Sequence, residues 1–136
     1  MMKIKIENDL AQLEHLNAKI MAFNQDNDIP DKIAFNINLA IEEMVTNIIN
    51  YGYDNDENDE IIVDIINDKE ELKITITDSA KPFNPLEQND PNLEASLEDR
   101  QIGGLGIFFT KKLMDDINYT RENDKNILAL RKSLTS

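Results

Sequence analysis

Cysteine is absent from this 136-residue chain, which excludes disulfide bonds and thiolate metal centres at once. Histidine occurs only at His15, so no Ser-His-Asp triad can be assembled without it, and nothing near it points to one. No apolar run approaches the ~20 residues of a membrane span. The N-terminal residues 1–6 give way to polar sequence, so neither a span nor a signal peptide is expected, and a cytoplasmic location is. Positive charge is scarce, with 14 Lys and Arg against 27 Asp and Glu and a net charge of −13. Such a field repels a phosphate backbone and argues against direct nucleic-acid binding. It permits a nucleotide, because a metal ion and backbone amides can hold phosphates locally.

What is present suits one domain over residues 1–136, long enough to bury a single core. Residues 3–6 alternate and predict a short first strand. Asp9, with Gln12 three residues on, predicts a capped helix that carries Leu10, Leu13, Leu16, Ile20 and Phe23 and ends near Asn24. A second helix is expected over residues 31–51, where Ile33, Ala34, Ile37, Ile41, Met44, Val45 and Ile48 form one apolar stripe closed by Gly52. Two strands follow in hairpin order, with Ile61, Val63 and Ile65 on one face and Leu72, Ile74 and Ile76 on another. Residues 79–103 show no period and are broken by Pro82, Pro85 and Pro91, the mark of a functional or mobile loop; one helical turn is allowed at 93–97. A helix after the 103–106 glycines and a pair of strands at 117–121 and 127–131 complete the chain. The order β-α-α-β-β-loop-α-β-β predicts an α+β fold, a two-layer sandwich with helices on one face of a mostly antiparallel sheet.

Three places carry chemistry. Glu43 and Asn47 lie four residues apart on one helical ridge, with Asn47 at the edge of the apolar stripe. The Asn47 amide oxygen can serve in the octahedral oxygen shell of Mg²⁺. Glu43 can accept a proton from a nucleophile that attacks a metal-bound phosphate. An exposed Glu–Asn pair on a solvated face meets the same spacing, and spacing alone favours it. Asp78 continues the period-two row of Leu72, Ile74 and Ile76, so the strand ends by aiming a carboxylate inward. Such a group needs hydrogen-bond donors, and an adenine amino group is one; an Asp closing a strand in a turn is the equally weighted alternative.

Gly103, Gly104 and Gly106 are three of the four glycines and stand just before a helix, where backbone can approach an anion closely. A flexible turn is the bland alternative. Phe109 stands at the third glycine position of a dinucleotide fingerprint, and no glycine-rich loop ends in Lys-Ser or Lys-Thr, so neither common phosphate motif is met. The acids at 54–60 lack the glycine and spacing of a calcium loop.

Taken in order, these segments resemble the GHKL, or Bergerat-fold, ATPases, and within them the anti-sigma-factor serine kinase branch. Glu43-Met44-Val45-Thr46-Asn47, continuing to Tyr51-Gly52-Tyr53, is similar to that branch's N-box. Asp78-Ser79-Ala80-Lys81-Pro82-Phe83-Asn84-Pro85 resembles its first glycine box, and Gly103-Gly104-Leu105-Gly106-Ile107 its second. The match covers residues 31–133. The resemblance implies that Glu43 is the catalytic carboxylate, Asn47 the Mg²⁺ ligand and Asp78 the reader of the adenine amino group. Ala80 and Phe83 would border the base, Gly103 to Gly106 with Leu105 the phosphates, and Arg100 the γ-phosphate, under an ATP lid spanning about 84–102. Ala80 and Pro82 depart from the family's glycines and stiffen that backbone. Asn126 stands where relatives often carry Gly-Thr near adenine.

The resemblance therefore implies a kinase that takes ATP and Mg²⁺ and phosphorylates a serine of an anti-anti-sigma (STAS-like) protein. It also implies homodimerisation and, as a further partner, a sigma factor. Two other functions stay open at this point. One is a non-catalytic ATP-binding switch that sequesters a regulator; the other is an orphan ATPase or a detached histidine-kinase catalytic domain.

Overall fold

The structure is a computed structural model that describes residues 1–53, 58–87 and 104–134. Strand β1, Met2–Glu7, buries Ile4 and Ile6 and leaves Lys3 and Lys5 outward. The Asp9 carboxylate then accepts from the Ala11 N–H at 3.0 Å and caps a single 3-10 turn, Leu10–Gln12. Helix α1 starts only at Leu13 and runs to Asp26, where Asp28 with φ 54° turns the chain. The expected single helix is thus corrected at its start. Asp9 caps through a donor two residues on instead of three, and Leu10, 47% exposed, falls outside the core.

Helix α2, Asp31–Tyr51, has the bounds that its apolar stripe predicts. Pro30 precedes it, Asp31 complements the positive end of its dipole, and Ile37, Ile41, Met44 and Val45 are buried along it. Strands β2, Glu60–Asn67, and β3, Glu71–Asp78, form the expected hairpin. The Asn67 and Asp68 side chains accept from the Lys69, Glu70 and Glu71 amides and hold the turn, in which Lys69 has φ 77°. Helix α3, Gly104–Leu113, leads to β4, Asp116–Glu122, and β5, Lys125–Ser133. Asn123 and Asp124, with φ of 52° and 63°, make the tight turn that suits the right-handed strand twist.

The five strands form one antiparallel sheet in the order β1-β2-β3-β5-β4. Ile61, Val63, Ile65, Leu72, Ile74, Ile76, Leu128 and Leu130 point to one face and share a core with the helices. Each such aliphatic side chain contributes roughly 1.5–3 kcal/mol by leaving water. The other face carries Lys3, Asp64, Thr75, Lys73 and Arg131 in register. Among the described residues no helix is long and apolar enough to cross a membrane. The expected two-layer α+β arrangement is the one observed.

Two features of this frame place the site. The register sets Asp78, the last residue of β3, opposite Asn126 on β5, and Asn126 opposite Arg121 on β4. The Lys81 N–H donates to the Gly52 carbonyl at 2.9 Å and ties the end of α2 to the segment after β3.

Candidate functional site

The alternation that buries Leu72, Ile74 and Ile76 carries Asp78 inward to 3% exposure. Its Oδ1 accepts from the Ala80 N–H and from the Asn126 amide, each at 2.9 Å. Both bonds land on the same oxygen, which leaves Oδ2 for an incoming donor. Burial pushes the carboxyl above its ordinary range. The Asn126 and Ala80 bonds pull it back, nearby Asp59 raises it and Arg121 lowers it.

Asn126 is the hub of this end of the sheet. Its Nδ2 donates to Asp78 and to the Lys81 carbonyl at 2.9 Å, and at 3.4 Å to that of Ala80. Its Oδ1 accepts from the Tyr119 hydroxyl, from Arg121 Nη1 at 3.1 Å and, more weakly, from the Phe83 N–H at 3.4 Å. Acceptors on one side and donors on the other fix which way the amide points. Arg121 Nη1 also donates to the Ala80 carbonyl at 2.9 Å.

Asp78, Asn126 and Asn47 supply much of the polar lining of a cavity of about 270 Å³ between α2, the end of β3 and β4–β5. Met44, Ile48, Pro82, Phe83 and Leu128 give it apolar walls. Mostly apolar walls with a few placed polar groups are what a flat heteroaromatic ring requires. Asn47 is 8% exposed, and its Nδ2 donates to the Glu43 carbonyl at 2.8 Å, leaving its oxygen for a ligand.

Glu43 does not line that cavity. It borders a second cleft, between α2 and α3, with Leu39, Gly106, Phe109 and Thr110. A Cβ on Gly106 would lie 2.2 Å from Glu43 Oε2, so the missing side chain lets α3 close against this carboxylate. The Thr110 hydroxyl donates to the Gly106 carbonyl at 2.9 Å. Gly52 has a parallel role, since its Cβ would lie 2.6 Å from the Ile48 carbonyl and 2.7 Å from the Ala80 methyl.

The structure thus gathers Asn47, Asp78, Ala80, Phe83 and Asn126 around one cavity, and Glu43 and Gly106 in a second cleft along α2. Gly104 and Leu105 open α3. Arg100, Gly103 and positions 88–102 of the expected lid lie outside the described residues. Sequence reasoning missed Tyr119 and Arg121. Both lie on the cavity-facing side of β4 by period-two counting, which was the signal available.

The layout is that of a two-layer α+β domain with a ligand-sized cavity at the ends of β3 and β5. The chain belongs to the histidine kinase-like ATPase domain family, whose model matches residues 6–132. It is 28% identical over 100 residues to an anti-sigma F factor of Anoxybacillus flavithermus, covering 73% of this chain and 68% of that protein. It is 27% identical over 85 residues to the serine-protein kinase RsbW of Listeria monocytogenes, covering 60% of this chain and 54% of that kinase. A crystal structure of the RsbU and RsbW domains of a Mycobacterium tuberculosis protein shares the fold, with a TM-score of 0.65 at 12% identity. That likeness covers 98% of this chain and 32% of the mycobacterial one.

Proposed function

We propose that this chain is a Mg-ATP-dependent protein serine/threonine kinase of the anti-sigma type, acting on a small STAS-like antagonist. The carrying observation is that one helix lines two spaces. Asn47 faces the base-sized cavity with Asp78, and Glu43, one turn earlier, faces the cleft under Gly106. The names of the relatives, anti-sigma F factor and serine-protein kinase, support the same reading.

The residues present fit the nucleotide. Asp78 Oδ2 can accept from the adenine amino group, and the apolar walls can sandwich the ring. One protein oxygen suffices for Mg²⁺, which keeps several waters and shares phosphate oxygens. Asn47 would supply it, and the first turn of α3 would face the phosphates. Bound Mg-ATP supplies the transferable phosphoryl group. Glu43 accepts the proton of the partner's serine hydroxyl as its oxygen bonds to the γ-phosphorus; the bond from that phosphorus to the bridging oxygen breaks, and ADP departs. Positioning and charge neutralisation account for most of the acceleration in such transfers.

The test is phosphate transfer from labelled ATP to purified STAS-like proteins. Transfer by the wild type and its loss in Glu43→Gln, with ATP binding intact, would support the kinase. Sequestration of a sigma factor that is unaffected by Glu43→Gln, with no transfer, would replace it with a binding switch.

A further inference from the structure

We propose that Asn126 is a positioning residue of this pocket. Held by Tyr119 and Arg121, it fixes Asp78 so that only Oδ2 meets the ligand, and this selects a purine with an exocyclic 6-amino group over a 6-oxo purine. The inference rests on the reading of the cavity as an adenine site.

The geometry carries it. Asn126 is 6% exposed and stands on β5 directly opposite Asp78 at the end of β3. Its Nδ2 and the Ala80 N–H saturate Oδ1 of the carboxylate. The same amide cannot turn over to offer its oxygen. That oxygen already accepts from Tyr119, Arg121 and Phe83, and the nitrogen is shared with the Lys81 carbonyl. Turning it would set oxygen against two acceptors and nitrogen against the donors, at a cost that buried polar groups do not tolerate. What remains towards the cavity is one carboxylate oxygen. A 6-amino group donates to it, whereas a 6-oxo group opposes its own lone pairs to it.

The charged and titratable groups around Asp78 fit the same role. Asp59, just before β2, disfavours the ionised carboxylate, and Arg121 on β4 favours it. Tyr51 and Lys81 line the same cavity, as does Tyr119. The Asn126 hydrogen bond is the largest influence that lowers the Asp78 pKa against its burial. Without it the carboxyl protonates more readily, and a protonated carboxyl can donate to a 6-oxo group.

The experiment is calorimetric titration of ADP and IDP into the full chain across pH 5 to 8, comparing wild type, Asn126→Ala, Tyr119→Phe and Asp78→Asn. Asn126→Ala is expected to bind ADP about tenfold more weakly at neutral pH, as befits loss of a hydrogen bond to a charged group. Its acidic limb of ADP affinity should move to higher pH, and its ADP-to-IDP preference should shrink. Tyr119→Phe, which only loosens the amide, should move all three in the same direction by less. This variant carries the test if Asn126→Ala does not fold. A uniform loss of affinity, with the limb and the preference unmoved, would overturn the positioning role. Unchanged ADP affinity in Asp78→Asn would instead overturn the underlying site reading.

Discussion

Asp78 and Asn126 face each other across β3 and β5, joined by a 2.9 Å hydrogen bond from the amide to Oδ1 of the carboxylate. The pair lines a cavity that Asn47 also borders. A buried carboxylate is costly, and its raised pKa records that cost. Relative to the unfolded chain, folding therefore shifts this carboxyl towards its protonated form. A group with a raised folded pKa contributes stability below its unfolded pKa and loses it as pH rises through the folded value.

At neutral pH, Asp78→Asn is accordingly expected to raise the melting temperature of the nucleotide-free protein. The new side chain keeps an oxygen for the Ala80 and Asn126 donors and removes the buried charge. The gain should fade as pH falls into the range where the wild-type carboxyl is itself protonated. Thermal melts across that range check it, and a loss of stability at neutral pH would count against the buried, ionised carboxylate.

Gly106→Ala places a methyl group where Glu43 Oε2 lies, 2.2 Å away. The obstacle is the far end of a flexible side chain, so the fold should survive, with Glu43 displaced. Phosphate transfer is expected to fall by about two orders of magnitude, the lower end of what a positioned proton acceptor contributes, while ADP affinity changes little. Equal loss of both would mean that α3 itself has shifted.

Gly52→Ala meets firmer neighbours, the Ile48 carbonyl at 2.6 Å and the Ala80 methyl at 2.7 Å. Overpacking of this kind costs about 1–3 kcal/mol. Denaturant titration should show it, and Ala80→Gly in the same chain should return only part, because the carbonyl remains.

Much of this was legible in the sequence where the period was strong. The bounds of α2, the β2–β3 hairpin and the inward aim of Asp78 follow from residues only a few positions apart. The start of α1 did not, because Asp9 with Gln12 fits a capping box equally well whether the carboxylate finds a donor two or three residues on. Asn126 was visible only as a departure from a pattern. Its work depends on β5 lying between β3 and β4 and on a partner 48 residues away, which local spacing does not contain. Glu43 and Asn47 share a ridge by spacing, yet they open to different spaces. The packing of α3 through Gly106 decides that, and nothing in the periodicity of α2 encodes it.

Asn47→Ala is expected to weaken ATP binding in the presence of Mg²⁺ and to leave the affinity measured with a chelator nearly unchanged. The ratio of the two dissociation constants is the readout. An equal loss in both conditions would assign Asn47 to the base or to the fold instead of the metal.

The most direct measurement of the central claim is ADP titration into the wild type and Asp78→Asn, at neutral pH and without metal. The pocket described above requires that Asp78→Asn lose affinity by at least tenfold, as the loss of a charged hydrogen-bond acceptor implies, while the protein stays folded. Equal affinity in the two proteins would contradict it.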